Sequence, residues 1–238
     1  MRFSTFSVSV LPDIETARHN HNLDGLSDKD VGNVLFHQRK QLTGDSEELL
    51  WHQMTIAAVT CIDCQDGVTS IKSEMIPTCG GFEHDLLNII KERLAVDTHL
   101  VNWGADNFTW PLVTYRAMKN GLVWPDAFDL TPEDLQQSYA MKGDPNQTLD
   151  QLAKQFHFPG LKNHNPMALW DDYLNDRWFD IRNFSLNHAL NSFLLALRLY
   201  HFNGTLSADE KHAAVSSLGG CIDEVTLHNL YKAFGMPS

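Results

Sequence analysis

Two carboxylates near the N-terminus have a spacing that could hold a metal ion. Asp13 and Glu15 are two residues apart, and in a β-strand residues at that spacing point to the same face. Carboxylate oxygens are the ligands that a hard cation such as Mg²⁺ prefers. Pro12 directly precedes Asp13, however, and proline is rare inside a strand. The plainer interpretation makes Asp13 a turn residue and Glu15 a residue at a helix entry.

Cys61 and Cys64 form a Cys-X-X-Cys pattern that could be half of a zinc or redox site. The sequence has no second pair of cysteines or histidines at a matching spacing. The two residues also lie in a run that predicts a β-strand, where packing of alternate side chains in the core is ordinary. We therefore interpret both cysteines as core residues, so the sequence predicts no metal site here.

Composition and charge narrow the class of protein. A chain of 238 residues with 43% hydrophobic and 20% charged residues is typical of one globular domain. The formal net charge of −12 disfavours a general nucleic-acid coat protein, because phosphate contacts need clustered cations. The few candidates, Arg39, Lys40, Arg116 and Lys119, are interpreted as solvated helix faces.

The sequence also bears on location. No apolar run approaches the roughly 20 residues of a membrane span, and the first residues alternate like a strand and lack a signal peptide's apolar core. The four cysteines form no disulfide framework, so we expect a reduced, cytoplasmic protein without membrane contact. The oligomeric state is left open.

Hydrophobic periodicity indicates alternating strands and helices. Residues 28–43 predict a helix, with Ser27 as the N-cap and Gly44 as the stop. Runs rich in β-branched residues at 54–64 and 68–76 predict a hairpin. Further periodic segments predict a strand at 2–11, a helix from about 82, a strand at 99–103, and helices at 110–119 and 181–200. The pattern favours an α/β fold with a mixed sheet flanked by helices and a helical C-terminal part.

Three stretches carry a resemblance to a known family. The first runs through 6–53 and is matched at 6–15 and again at 23–53. The others are 100–117 and 184–198. Together they resemble the predicted 3′–5′ exonucleases related to the proofreading domain of B-family DNA polymerases. The resemblance implies a ribonuclease H-like fold. We expect residues 1–204 to form that domain and residues 205–238 to be a helical extension of it, outside the resemblance.

The resemblance also indicates where the family's functional residues fall. Its first metal-binding Asp and Glu fall on Ser7 and Ser9, its next Asp on Thr109, and its last Asp on His188. The Tyr that assists the attacking water falls on Phe184. Residues 121–140 depart further, because they are shorter than the family pattern and lack its His-X-Asp-Leu motif; the nearest remnant is at 133–135.

These replacements imply a degenerate exonuclease that binds without cleaving. Two-metal hydrolysis of a phosphodiester needs carboxylates that hold two Mg²⁺ ions about 4 Å apart, and neutral hydroxyls and an imidazole cannot replace them. The resemblance therefore implies no catalytic residue, no metal and no cofactor. The expected partner is a nucleic-acid end, a nucleotide or a protein. The alternative is an active Mg²⁺-dependent 3′–5′ exonuclease that uses Asp13 and Glu15.

Overall fold

The computed structural model describes residues 1–93, 98–104, 108–125, 129–130, 132–140, 147–161 and 166–236. Strands and helices are mixed along the chain up to β5, and the regular elements that the structure describes after β5 are helical. The strands are β1 (Arg2–Pro12), β2 (Met54–Gln65), β3 (Val68–Met75), β4 (His99–Asn102) and β5 (Glu133–Asp134). The helices are α1 (Ile14–His21), α2 (Asp28–Thr43), α3 (Glu83–Arg93), α4 (Trp110–Lys119), α5 (Leu135–Ala140), α6 (Leu149–Gln155), α7 (Pro166–Leu174), α8 (Trp178–Phe202), α9 (Ala208–Ser217) and α10 (Glu224–Phe234).

The described strands form one mixed sheet in the order β3-β2-β1-β4-β5. β1, β2 and β3 form an antiparallel meander, whereas β4 runs parallel to β1 and β5 runs parallel to β4. A β1–β2 register shift between Ser9 and Val10 leaves Ala57 without a partner, as in a β-bulge. This is the α/β, ribonuclease H-like architecture that the sequence predicts, with β1 at the centre of the sheet.

Helices cover both faces of the sheet because β1 alternates between two cores. Phe3 packs with the rings of Phe193 and Tyr200 from α8. Phe6 and Val8 point to the other face, where α2, α3 and α4 supply the apolar partners. Both faces of β1 are therefore buried, and its side chains meet helices on each side.

Most of the predicted elements are confirmed. The helix at Asp28–Thr43 begins after the Ser27 N-cap and ends at Gly44, which has a φ of 88°. The hairpin turns at Asp66 and Gly67, both with positive φ. One of the four candidate cations, Arg116, is buried, so its interpretation as solvated is wrong. Lys119 is exposed, although its ammonium is paired with Asp13.

The C-terminal segment packs on the same core as β1. Leu206, Leu218, Leu230 and Phe234 are buried in one cluster with Phe3 and the apolar face of α8. The ring of Phe234 stacks on Phe158, with centroids 5.3 Å apart. In the described part of the chain, no helix has the length and apolar character needed to cross a membrane.

Candidate functional site

The positions expected to hold the first two metal ligands lie on the face of β1 that α8 covers. Ser9 is fully buried and donates a hydrogen bond of 2.5 Å from Oγ to the Ile181 carbonyl oxygen. Four residues earlier, the hydroxyl of Thr5 reaches the Ala189 carbonyl at 3.5 Å. Ser7, between them, is 5% exposed. These hydroxyls therefore face the backbone of a helix that lies close to the strand.

A polar row continues from Ser7 across the meander. Ser7 is paired with Thr60 of β2, and Thr60 is paired with Ser73 of β3. The Thr60 hydroxyl lies 2.7 Å from the Ser73 hydroxyl and 2.9 Å from that of Ser185 on α8. Small side chains let the helix approach the sheet, and their hydroxyls bond to one another. This row consequently has a structural role in seating α8.

Phe184 and His188 are neighbours on α8, next to the stripe that faces the sheet. Their ring centroids are 6.3 Å apart, and both side chains are half-buried. Phe184 also lines an open cleft of about 530 Å³ with Asp180 and Asn183. The α8 segment from Ile181 to Ala189, which contains both residues, runs along β1 between Ser9 and Thr5.

Thr109 is buried and directly precedes α4. The next residue, Trp110, packs edge-on against Phe6, with centroids 5.9 Å apart. Because Phe6 points to the face of β1 opposite α8, the start of α4 lies beside β1 on that side.

Asp13 occupies a different kind of position. It is the N-cap of α1, where its Oδ1 accepts a hydrogen bond of 3.1 Å from the Thr16 backbone N–H. Its Oδ2 accepts hydrogen bonds from the Arg116 guanidinium and, at 2.6 Å, from the Lys119 ammonium. Glu15 is exposed in the first turn of α1. The two carboxylates are therefore not on one strand, and Asp13 already has two cationic partners.

Arg116 extends this contact into a buried network. Its guanidinium also bonds to both carboxylate oxygens of Glu83, with a shortest distance of 2.5 Å, and to the Thr55 hydroxyl at 3.1 Å. Glu83 accepts further hydrogen bonds from the backbone N–H of Ile56, at 2.6 Å, and from Asn120. The network thus has two carboxylates and two cations, and its formal charges cancel.

The network sets the ionisation of Asp13. Burial alone would raise the pKa of its carboxyl, but the hydrogen bonds from Lys119 and Arg116 outweigh burial and hold the pKa below its ordinary value. The carboxylate is therefore ionised at neutral pH and held by its two cationic partners.

The remaining sequence candidates are structural. Cys61 and Cys64 are both buried in β2, but they belong to core clusters on opposite faces of the sheet. They cannot share one metal ion, which agrees with their interpretation as core residues. Within the described ranges, no three His, Cys, Asp or Glu side chains form a group that could hold a metal.

Residues 133–135, the nearest remnant of the family's His-X-Asp-Leu motif, begin with β5. Their acidic side chains bond to neighbouring elements. Glu133 bonds to His99 and to the Tyr200 hydroxyl, at 2.9 and 2.8 Å. Asp134 accepts hydrogen bonds from the backbone N–H groups of Gly104 and Gln136. These acids therefore hold β4, β5 and α8 in place.

Comparison with known proteins gives one family match. Residues 47–236 match the sequence model of a family described as a predicted 3′–5′ exonuclease related to the exonuclease domain of PolB. The match includes nearly all of 205–238, which the resemblance of the three stretches did not reach, and it starts after β1. Searches of curated proteins and of solved structures found no match.

Breaking the Arg116 network should strongly destabilise the fold. In Arg116→Met, Asp13 and Glu83 lose their shared cation inside the protein, and we expect a loss of about 3–5 kcal/mol in the free energy of unfolding. The measurement is urea unfolding, with Arg39→Met as the matched control because Arg39 has a single exposed hydrogen bond to a backbone carbonyl. Equal stability of the two variants would contradict a structural role for the network.

The same network predicts an acid limit to stability. Since the folded pKa of Asp13 lies below the unfolded value of about 3.9, its stabilisation is complete above that pH and is lost as pH falls through the folded pKa. The Arg116→Met variant should lose less stability than the parent between neutral pH and acid. Parallel pH curves for the two proteins would show that Arg116 does not stabilise the ionised carboxylate.

The space at Ser9 can be tested directly. Ser9→Ala loses one buried hydrogen bond and should cost about 1 kcal/mol, whereas Ser9→Glu places a carboxylate against the Ile181 carbonyl and should cost about 3 kcal/mol or more. Ser216→Glu, at an exposed position on α9, is the control and should change stability by about 0.5 kcal/mol or less. Urea unfolding that finds Ser9→Glu as stable as the parent would show that the position is open.

Proposed function

The chain belongs to the family of predicted 3′–5′ exonucleases related to the exonuclease domain of PolB, and we propose that this member of the family binds its ligand without cleaving it. The observation that carries the proposal is the position of Ser7 and Ser9. Both are buried beneath α8, and the Ser9 hydroxyl is bonded to the Ile181 carbonyl. Nucleases of the two-metal type need carboxylates at such positions, open to metal and substrate.

The chemistry at the other two positions supports the same proposal. Thr109 and His188 stand where the family resemblance indicates aspartates, and Phe184 stands where it indicates a tyrosine. Four carboxylates are therefore replaced by neutral or weakly basic groups, and Mg²⁺ sheds its water only for strong oxygen ligands. Phe184 also has no hydroxyl, so the group that would orient an attacking water is absent at this position.

The alternative, an active exonuclease that uses Asp13, Glu15 and Mg²⁺, has less support. A metal ion at Asp13 would have to displace both Arg116 and Lys119, and the Arg116 contact is buried. Glu15 lies on α1 rather than on the strand and is exposed. Separating Asp13 from its two cations would cost more free energy than breaking an exposed ion pair.

The partner classes left by this proposal are a nucleic-acid end, a nucleotide or a protein. The net charge of −12 predicts that any nucleic-acid contact is weak, because few cations face the solvent to meet phosphates. The phosphate contacts that do form should weaken further as salt is added. Tight binding of DNA or RNA that is indifferent to salt would not fit this charge balance.

A nuclease assay tests the proposal. With 5′-labelled single-stranded DNA or RNA and either Mg²⁺ or Mn²⁺, we expect no shortening beyond that of a heat-inactivated sample. The control for the alternative is Glu15→Gln, because Glu15 is exposed and its loss should leave the fold intact. Metal-dependent cleavage that Glu15→Gln abolishes, and that Glu224→Gln on α10 leaves unchanged, would replace the proposal with the alternative.

A further inference from the structure

A cleft of about 810 Å³ opens where β1 ends and α1 begins. Its walls come from the start of α1, the end of α4, the residues around the start of α3, helix α7 and the first residue of α8. The lining side chains include Glu15, Phe82, Lys119, Trp170, Tyr173 and Trp178. The cleft therefore combines aromatic rings with charged groups from distant parts of the chain.

The Arg and Lys side chains that line this cleft already have ion-pair partners. Arg116 is paired with Asp13 and Glu83, and Lys119 is paired with Asp13 at 2.6 Å. Among the residues that the structure describes, the Glu15 carboxylate has no ion pair or hydrogen bond. A phosphate entering the cleft would thus meet an unpaired carboxylate and no unpaired Lys or Arg. A cationic group would meet the reverse, so the charges favour a positive ligand.

Aromatic rings form a corner beside that carboxylate. Trp170 and Tyr173 are stacked with centroids 5.2 Å apart, and Trp178 stands almost perpendicular to Tyr173, at 87° and 5.7 Å. Phe82, at the start of α3, is 67% exposed. Flat ring faces attract cations, and an arginine guanidinium can stack on them while it bonds to a carboxylate. Trp170 is buried, so the rings that can meet a guanidinium are those of Tyr173 and Trp178, which are partly exposed, and Phe82. These rings and a carboxylate in one cleft therefore suit arginine.

The surface next to the corner is acidic. Residues 171–180 contain four aspartates and one arginine, and that arginine, Arg177, is paired with Asp171 and Asp172. Asp176 and Asp180, in the same stretch, are exposed. A chain that approaches this surface with several positive charges would be attracted before it docks.

We propose that this cleft binds an arginine side chain from a basic segment of a partner protein, with the guanidinium on the aromatic rings and paired with Glu15. The inference rests on the proposed function, because a working nuclease would need its clefts for nucleic acid. It deepens that function by choosing a protein partner over a nucleotide. Neighbouring basic residues of the partner would lie over the aspartates of 171–180.

The test is fluorescence polarisation of the full chain with three labelled probes. They are a peptide of repeated Gly-Arg-Ser, the same peptide with Lys in place of Arg, and an oligothymidylate. We expect the arginine peptide to bind about fivefold or more tightly than the lysine peptide, because only guanidinium stacks and pairs in plane. Equal binding of the two peptides would overturn the proposal, since bulk charge alone would explain it.

Four variants locate the site. Glu15→Gln and Phe82→Ala should each weaken the arginine peptide about fivefold. Their matched controls are Glu224→Gln on α10 and Phe202→Ala, whose ring is 81% exposed at the end of α8, and both should leave affinity unchanged. Equal losses in test and control variants would place the binding elsewhere on the acidic surface and overturn the proposal.

The result with DNA separates this inference from the proposed function. If the oligothymidylate binds more tightly than the arginine peptide and Phe82→Ala weakens it, the cleft is a nucleic-acid site and the inference fails. The proposal that the chain does not cleave would stand in that case. Metal-dependent shortening of the oligothymidylate would instead contradict the proposed function itself.

Discussion

The Arg116 ion-pair network is the constraint on which the rest of this structure depends. One buried guanidinium joins the end of β1, the start of β2 and the start of α3, through Asp13, Thr55 and Glu83. A buried charge is costly unless it is paired and hydrogen-bonded, and here both carboxylates are shared among several donors. Because the network ties these elements together at one end of the central strands, it also shapes one wall of the aromatic cleft.

A second constraint is the close contact between α8 and the middle of the sheet. Small hydroxyl residues on three strands let the helix approach, and the Ser9 hydroxyl contacts its backbone. A metal-binding nuclease would need carboxylates and open space at this same contact. Under the proposed function, this contact serves to pack α8 against β1 rather than to hold metal ions.

Local sequence signals predicted much of the fold. The cap at Ser27 and the stop at Gly44 defined α2, and the β-branched runs around the turn at Asp66 and Gly67 defined the hairpin. Such features depend on neighbouring residues, so a single sequence carries them. The family resemblance added the ribonuclease H-like fold, which hydrophobic periodicity alone does not distinguish from other α/β arrangements.

Contacts between residues far apart in the chain could not be predicted from the sequence. Arg116 was interpreted as a solvated helix residue, yet it is buried against Asp13, 103 residues away, and Glu83, 33 residues away. An arginine on a short helix gives no periodic signal of such partners. The resemblance selected Ser7 and Ser9, but it did not predict that the Ser9 hydroxyl would bond to the Ile181 carbonyl of α8. Likewise, no local pattern joins Phe82 and Glu15 to the rings of α7.

The central claim is that this member of the family no longer has a two-metal site, and a Mn²⁺ titration tests it most directly. Binding can be followed by calorimetry, or by loss of the free-ion signal in electron paramagnetic resonance, on the full chain at neutral pH. The account predicts no saturable Mn²⁺ site at affinities tighter than about 1 mM, which corresponds to about −4 kcal/mol of binding free energy. One or two saturable sites that Glu15→Gln removes, while Glu224→Gln retains them, would contradict it.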